Sequence, residues 1–316
     1  MANVLLLGAG FTRNWGGWLA AEIFECLLGK PDINPRLRNL MFKHRRSGGY
    51  EAALSELQHN VLRGGDRGEL IGFENALGRV FADMDRGLEA ITFEFQSDGT
   101  YLVRTFLARF DAIFTLNQDL LLERCYLNDN IMLSTPRRWH GWQIPGMQRL
   151  TGGYANVSSN CGHWKPGGQP PQPGCQPYFK LHGSSNWMDE RGLRMMVAGG
   201  NKPALINQFP VLTGYHAEFR QRLSNPTRLM IIGYGFGDQH INEMLLAGAA
   251  GGQLTAFIVD PLGLDAIDEN RLKPIYTPGA LMSGLGPIVR GVSRRSLGEI
   301  FRPDPVEHAK LASFLE

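Results

Sequence analysis

The chain has 316 residues, 43% apolar and 20% charged, with a formal net charge of +2. That length carries one large domain or two modest ones, and the near-neutral balance gives no electrostatic case for nucleic acid or an anionic membrane as the main partner. No apolar run approaches the roughly 20 residues needed to span a bilayer. The first apolar run, residues 4–7, is too short for a signal-peptide core, so a cytoplasmic location is the expectation.

Residues 4–7 read as a buried parallel strand: Val4, Leu5, Leu6 and Leu7 show no alternation. Gly8-Ala9-Gly10 turns the chain, and a helix is expected over about residues 16–28, with Leu19, Ile23 and Leu27 on one face and Gly29 and Pro31 to stop it. Residues 31–100 read as a helical insertion, with apolar residues at three- and four-residue spacing over 50–62 and 73–91. Within it, Lys43-His44-Arg45-Arg46 is either a solvated face or a partner contact. Ser97-Asp98-Gly99 reads as a turn, and residues 101–110 as a helix leading back to the sheet.

Residues 112–116 form the next strand, with Asn117-Gln118-Asp119 at its end and a helix over 120–126. Residues 134–177 are rich in Gly, Pro, Trp and Ser without periodicity. A stretch of that length is expected to be a functional loop or binding surface; Trp139, Trp142 and Trp164 either pack it down or present it to a partner. A strand over 178–181 leads to His182 and a flexible Gly183-Ser184-Ser185 loop. Another over 229–232 leads to Gly233-Tyr234-Gly235-Phe236-Gly237, with Asp238 as helix N-cap. A last strand over 255–259 ends at Asp260-Pro261. Residues 280–316 are weakly patterned and close with a short helix over 308–315. Alternating strands and helices predict one α/β domain over 1–316, a Rossmann-like doubly wound parallel sheet whose ligands bind beyond the carboxyl ends of the strands.

The polar residues of interest all fall at those ends. Gly8-Ala9-Gly10 between strand and helix suits a phosphate, with Arg13 supplying charge where a third glycine would stand; a plain tight turn is the alternative. Asn117 offers both donor and acceptor to a ribose hydroxyl or a water, whereas Asp119 either supports it or caps the following helix. His182 titrates near neutral pH and takes a proton as a base, or is a satisfied structural histidine. Gly233 to Asp238 and Asp260 face an adenosine and its ribose, or are turn chemistry. Four cysteines, Cys26, Cys125, Cys161 and Cys175, include no C-x-x-C pair and are expected as thiols. Cys161, His163 and Cys175 fall short of a four-ligand zinc set, so no metal is expected. No G-x-S-x-G elbow supports a serine hydrolase.

GAG, then TLNQD, KLHG, IIGYGFGD and IVDP follow the order of the sirtuin motifs. The chain resembles most the bacterial sirtuin-like NAD-cleaving proteins of antiphage defence, in which a helical insertion is common. The resemblance covers residues 1–30, 110–126, 178–190 and 228–262. It implies an NAD⁺ glycohydrolase, with NAD⁺ as substrate and nicotinamide and ADP-ribose as products. Asn117, His182 and Asp119 would be catalytic. Gly8, Ala9, Gly10, Arg13, Asn14, Thr115, Gly233, Tyr234, Gly235 and Asp260 would bind NAD⁺. It further implies a role in abortive infection, with activity held off by homo-oligomeric assembly or by a separately encoded activator such as a motor ATPase or an Argonaute-like protein. Protein-deacylating sirtuins carry two C-x-x-C pairs and a glycine-threonine-serine motif. This chain has neither, reading Gly233-Tyr234-Gly235 instead. An NAD-dependent deacylase and a non-catalytic NAD⁺ or ADP-ribose-binding regulator stand as alternatives.

Overall fold

The computed structural model describes residues 1–96, 101–127, 139–150, 162–268, 279–302 and 304–316. The turn expected at residues 97–99 and Cys161 lie outside them. Strand β1 (Ala2–Leu7) runs almost directly into a short helix, α1 (Ala9–Arg13). Next come α2 (Ala20–Leu28), α3 (Pro35–His44), α4 (Gly49–Leu62), α5 (Arg67–Gly87) and α6 (Val103–Leu107). They lead to β2 (Ala112–Thr115) and α7 (Leu121–Cys125). The middle of the chain gives β3 (Gly141–Gln143), β4 (Met147–Arg149), β5 (Trp164–Pro166), β6 (Cys175–Lys180), β7 (Gly183–Met188) and β8 (Arg194–Met196). Then follow α8 (Lys202–Asn207), α9 (Pro210–Leu223), β9 (Thr227–Ile232), α10 (Gln239–Ala250) and β10 (Leu254–Val259). The chain closes with α11 (Ala280–Leu285), β11 (Val289–Ser293), α12 (Leu297–Ile300) and α13 (Pro305–Phe314).

Seven strands form one parallel sheet in the order β11-β10-β9-β1-β2-β6-β3. Without the edge strand β3, this is the 3-2-1-4-5-6 order of a doubly wound Rossmann sheet. The switch point lies at β1, where the chain runs outward through β2 and β6 and later returns to fill β9, β10 and β11. Burial on both faces explains the unbroken apolar runs: Val4, Leu5, Leu6, Leu7, Ile113, Phe114, Leu229 and Met230 have no exposed surface. Helix α9 lies against β6 and β9 and packs on α10, which lies against β10. At the other end, Phe314 of α13 meets Phe257 of β10 with ring centroids 5.5 Å apart.

Several expectations need correction. The helix placed from residue 16 starts at Ala20 because residues 14–16 form a turn and 17–19 are irregular, with the Trp15 indole donating to Phe93 O over 3.0 Å. The helix placed over 73–91 begins at Arg67, where the Asp66 carboxylate accepts from Gly68 N, and stops at Gly87. The described parts of the 134–177 stretch are not structureless: they hold β3, β4, β5 and the start of β6. The second sheet, in the order β4-β5-β7-β8, draws on the same stretch. Its tryptophans pack inward. Trp139 donates to Ala108 O, and Trp142 faces Trp164 at 6.3 Å. The supposed flexible loop after His182 is β7. There Gly183 has φ +70°, and a Cβ on it would fall 1.8 Å from Met195 O, so β8 passes where only glycine fits.

Candidate functional site

Beyond the carboxyl ends of β1, β2, β6, β9 and β10 lies a cavity of about 1410 Å³. Its wall includes Gly8, Ala9, Gly10, Arg13, Asn14, Asn117, Asp119, His182, Gly233, Tyr234, Gly235 and Asp260. Of the residues named for catalysis or NAD⁺ binding, Thr115 alone is not on that wall. It sits behind it, where its hydroxyl accepts from Asn117 N over 3.0 Å.

The two glycine turns are built against each other. Gly8 N donates to Ile232 O and Gly10 N to Gly233 O, over 3.0 and 2.9 Å. A Cβ on Gly8 would lie 2.5 Å from Gly233 O, one on Gly10 2.7 Å from Gly233 Cα, and one on Gly233 2.3 Å from the Gly10 carbonyl carbon. These glycines therefore serve the contact between the β1 and β9 turns, and the two amides are already spent. Gly235 differs: a Cβ there would meet nothing within 4 Å. Arg13 pairs with Glu22 at 2.6 Å and stays half exposed. Asn14 is engaged by the fold. It donates to Gly10 O and Phe11 O and accepts from Leu297 N at the start of α12. Tyr234 is buried and donates to Asn242 Oδ1 over 2.8 Å. The Asp260 carboxylate accepts from Leu262 N, and burial raises its pKa.

Asn117 is held by a residue the sequence reading passed over. Its Nδ2 donates to Thr12 Oγ1 over 2.9 Å, and Thr12 donates to Asp119 Oδ2 over 3.0 Å. The amide plane is thereby fixed, and Asn117 Oδ1 is left buried without a protein partner. Asp119 supports Asn117 through Thr12, and its Oδ1 accepts from Leu121 N at the first residue of α7, whose N-cap is Leu120. Burial raises its pKa against the opposing Lys180 charge. Beneath it, Lys180 Nζ donates to Asp119 O at 2.5 Å and to Glu123 Oε1 at 2.7 Å in a fully buried ion pair.

His182 sits where the chain leaves β6 for β7. Gln118, given no role from the sequence, donates its amide to His182 O and Val197 O over 3.2 and 2.7 Å, which ties the two backbone segments together. The imidazole is buried, and its Nε2 lies 3.0 Å from Nε2 of His240. Burial holds its pKa well below the usual histidine value. Lys202, His240 and His216 push the same way, while Asp238 opposes them. Burial likewise lowers His240, to about 4.

Asp238 stands at the N-cap position of α10, but its side chain caps nothing. Lys202 holds it at 2.5 Å and also meets Glu51 of α4 at 3.0 Å. Burial opposes ionisation of both groups. Even so, Lys202 holds Asp238 well below its ordinary range, and the two carboxylates hold Lys202 above its own. His182, Asp238 and His240 bring their ligand atoms within 4.8 Å of one another, the one such trio among the described residues. The Lys202 ammonium already occupies the carboxylate that a cation would need. Of the basic run, Lys43 and His44 both pair with Glu56, whereas Arg45 and Arg46 face the cavity. No helix among the described residues is long and apolar enough to cross a membrane.

Residues 111–273, a little over half of the chain, match the family model described as "SIR2-like domain". No curated protein matches. Among solved structures, a complex of Sir2 with an inhibitor, 2'-O-acetyl-ADP-ribose and a deacetylated p53 peptide is 13% identical; the alignment covers 98% of this chain and 94% of that one, with a TM-score of 0.38. A Sir2, p53 peptide and NAD⁺ structure is similar at 13% identity, with the same coverage and a TM-score of 0.39. On its matching domain, the chain belongs to the SIR2-like family.

Proposed function

We propose that this chain binds NAD⁺ and hydrolyses its glycosidic bond, releasing nicotinamide and ADP-ribose. The observation that carries the reading is the placement of Asn117 and His182 on the wall of one cavity at the switch point of the sheet, with the buried Asn117 Oδ1 lacking a partner. An acceptor fixed in this way suits a ribose hydroxyl, and it holds the sugar in one pose while the bond to nicotinamide breaks. Departure of nicotinamide leaves positive charge on the ribose, as in other glycoside cleavage. His182, kept neutral by burial, has a lone pair for the proton of a ribose hydroxyl or of the attacking water. Asp119 supports Asn117 through Thr12. Gly8, Ala9 and Gly10 would floor the pyrophosphate with Arg13 alongside, and Gly233, Gly235 and Asp260 would take the adenosine side. No step calls for a metal.

The same reading includes depletion of NAD⁺ during phage infection, in the cytoplasm, with activity held off by self-assembly or a separately encoded partner. Its support is the ordered motif set. The test is to incubate purified protein with NAD⁺ and follow nicotinamide and ADP-ribose by mass spectrometry, with and without an acyl-lysine peptide, and to repeat the assay with Asn117→Ala and His182→Ala. Peptide-independent release lost in both variants is expected. Release that needs the peptide would mean a deacylase, and binding without release a regulator.

A further inference from the structure

His182 does not stand alone. Its Nε2 faces Nε2 of His240 at 3.0 Å, and the two rings are 5.1 Å apart. A third histidine, His216, lies 5.5 Å from His240 and has its own Nε2 committed to Leu181 O at 2.9 Å. Two ring nitrogens at 3.0 Å share one hydrogen: one donates and the other accepts. With Nε2 committed to His240, Nδ1 is the nitrogen of His182 left for a substrate. A base in this position has a difficulty. Any proton that stays on it makes an imidazolium that is buried and close to the Lys202 ammonium. His240 is less buried and stands two residues from Asp238, though at the positive end of α10.

We infer that His240 is the second proton carrier of this site, acting through His182. The inference rests on the NAD⁺-cleaving reading. In the resting state His182 bears its proton on Nε2 and donates it to His240 Nε2. When the O–H bond of the ribose hydroxyl or of the attacking water breaks, that proton forms a new bond to His182 Nδ1. The Nε2–H bond of His182 then breaks, and the proton passes to Nε2 of His240. His182 ends neutral, in the other tautomer. The positive charge moves to His240, where the Asp238 carboxylate stabilises it, with Lys202, Glu51 and His216 as the remaining charged or titratable neighbours. From His240 the proton leaves to water. One proton is taken up at Nδ1 of His182 and one is released from His240 to water, and the next turnover begins once His182 has given up its Nδ1 proton and regained one on Nε2 by exchange with water.

The variant that separates a carrier from a structural neighbour is His240→Gln. Its side-chain oxygen still accepts from His182 Nε2–H, but the amide takes up no proton. The expected result is a kcat for nicotinamide release lowered at least about tenfold, in the range of general acid–base effects, with KM for NAD⁺ held within about twofold. Equal kcat in variant and wild type would overturn the inference. A second readout needs no turnover: long-range ¹H–¹⁵N spectra of histidine-labelled protein, with His182→Gln for assignment. Neutral His182 protonated on Nε2 is expected, and the Nδ1–H tautomer would overturn the relay even in an active enzyme. Absence of nicotinamide release from the wild type would instead overturn the reading beneath it, and the relay with it.

Discussion

Asn117 donates to the Thr12 hydroxyl across 105 residues of sequence, and this bond joins the end of β2 to the helix that follows β1. The donors run one way, from Asn117 to Thr12 to Asp119. That direction decides which face of the amide is left over, and it leaves the oxygen.

Thr12→Val keeps the shape of the side chain and removes the hydroxyl. Asn117 Nδ2 then loses its acceptor and the amide is free to turn. Loss of the buried partners should cost about 1–3 kcal/mol in urea denaturation, and kcat for nicotinamide release should fall more than about tenfold. Thr12→Ser should restore most of it. Full activity in the valine variant would show that the amide needs no such hold.

Gly233→Ala and Gly235→Ala, two positions apart, should behave oppositely. Gly233 has φ +64°, and its Cβ would fall on the backbone of Gly10. Displacing two backbone turns together with left-handed strain should cost about 3 kcal/mol or more. At Gly235 the new methyl meets open space, and the unfolding free energy should change by no more than about 0.5 kcal/mol, while NAD⁺ binding weakens. Calorimetric titration beside thermal melting distinguishes the two. Equal destabilisation would refute the account of the paired turns.

Lys180→Met should be among the most damaging single changes in the core. It leaves Glu123 buried and uncompensated, at a cost of about 3–5 kcal/mol. The double change Lys180→Met with Glu123→Met should recover most of that loss, because an apolar pair of similar volume replaces both charges. A double variant no more stable than the single one, read in a denaturant cycle, would contradict this.

Asp85 links α5 to the turn after β2 and to β7. Its carboxylate accepts from Leu120 N at 2.8 Å and from Ser185 Oγ at 3.0 Å. Burial, with Asp119 nearby, raises its pKa to about 7. In the unfolded chain the same group titrates near 4. The folded chain therefore binds this proton more tightly, so the contribution to stability is whole below about pH 4 and is lost as pH rises through about 7. Asp119 and Glu123, also raised by burial, act in the same direction. Asp85→Asn removes only one of the three, so its melting temperature should fall less than that of the wild type between about pH 5 and pH 8. Parallel melting curves would exclude the effect.

The sequence was most readable where the sheet is buried on both faces. β1, β2, β9 and β10 are apolar runs because both their faces are covered. β11 escaped notice because, at the edge of the sheet, it carries Arg290 and Gly291 and buries little besides Ser293. The three-residue strands β4, β5 and β8 are too short to show a period. Asn117, His182 and the glycine turns could be singled out because strand ends are marked by abrupt changes in composition. Thr12, Gln118, Lys202 and His240 could not. Each matters through a partner many positions away, and no local pattern records that. Asp238 illustrates the limit. Its place before a helix is legible, but the use of its carboxylate was decided by Lys202, 36 residues earlier.

Among the described residues of the 31–100 segment, Glu51 is the one that reaches the Lys202–Asp238 pair through a charge. Excising the insertion would remove one of the two anions that settle Lys202, leaving it balanced by Asp238 alone and the surroundings of the histidines one charge more positive. Tyr50, Phe81 and Met84 would go with it, and one wall of the cavity would be lost. The segment is therefore not a detachable accessory. Sequence drift within it alters the electrostatic environment of the histidines directly, so related proteins that share the sheet but differ here should diverge in chemistry sooner than in fold.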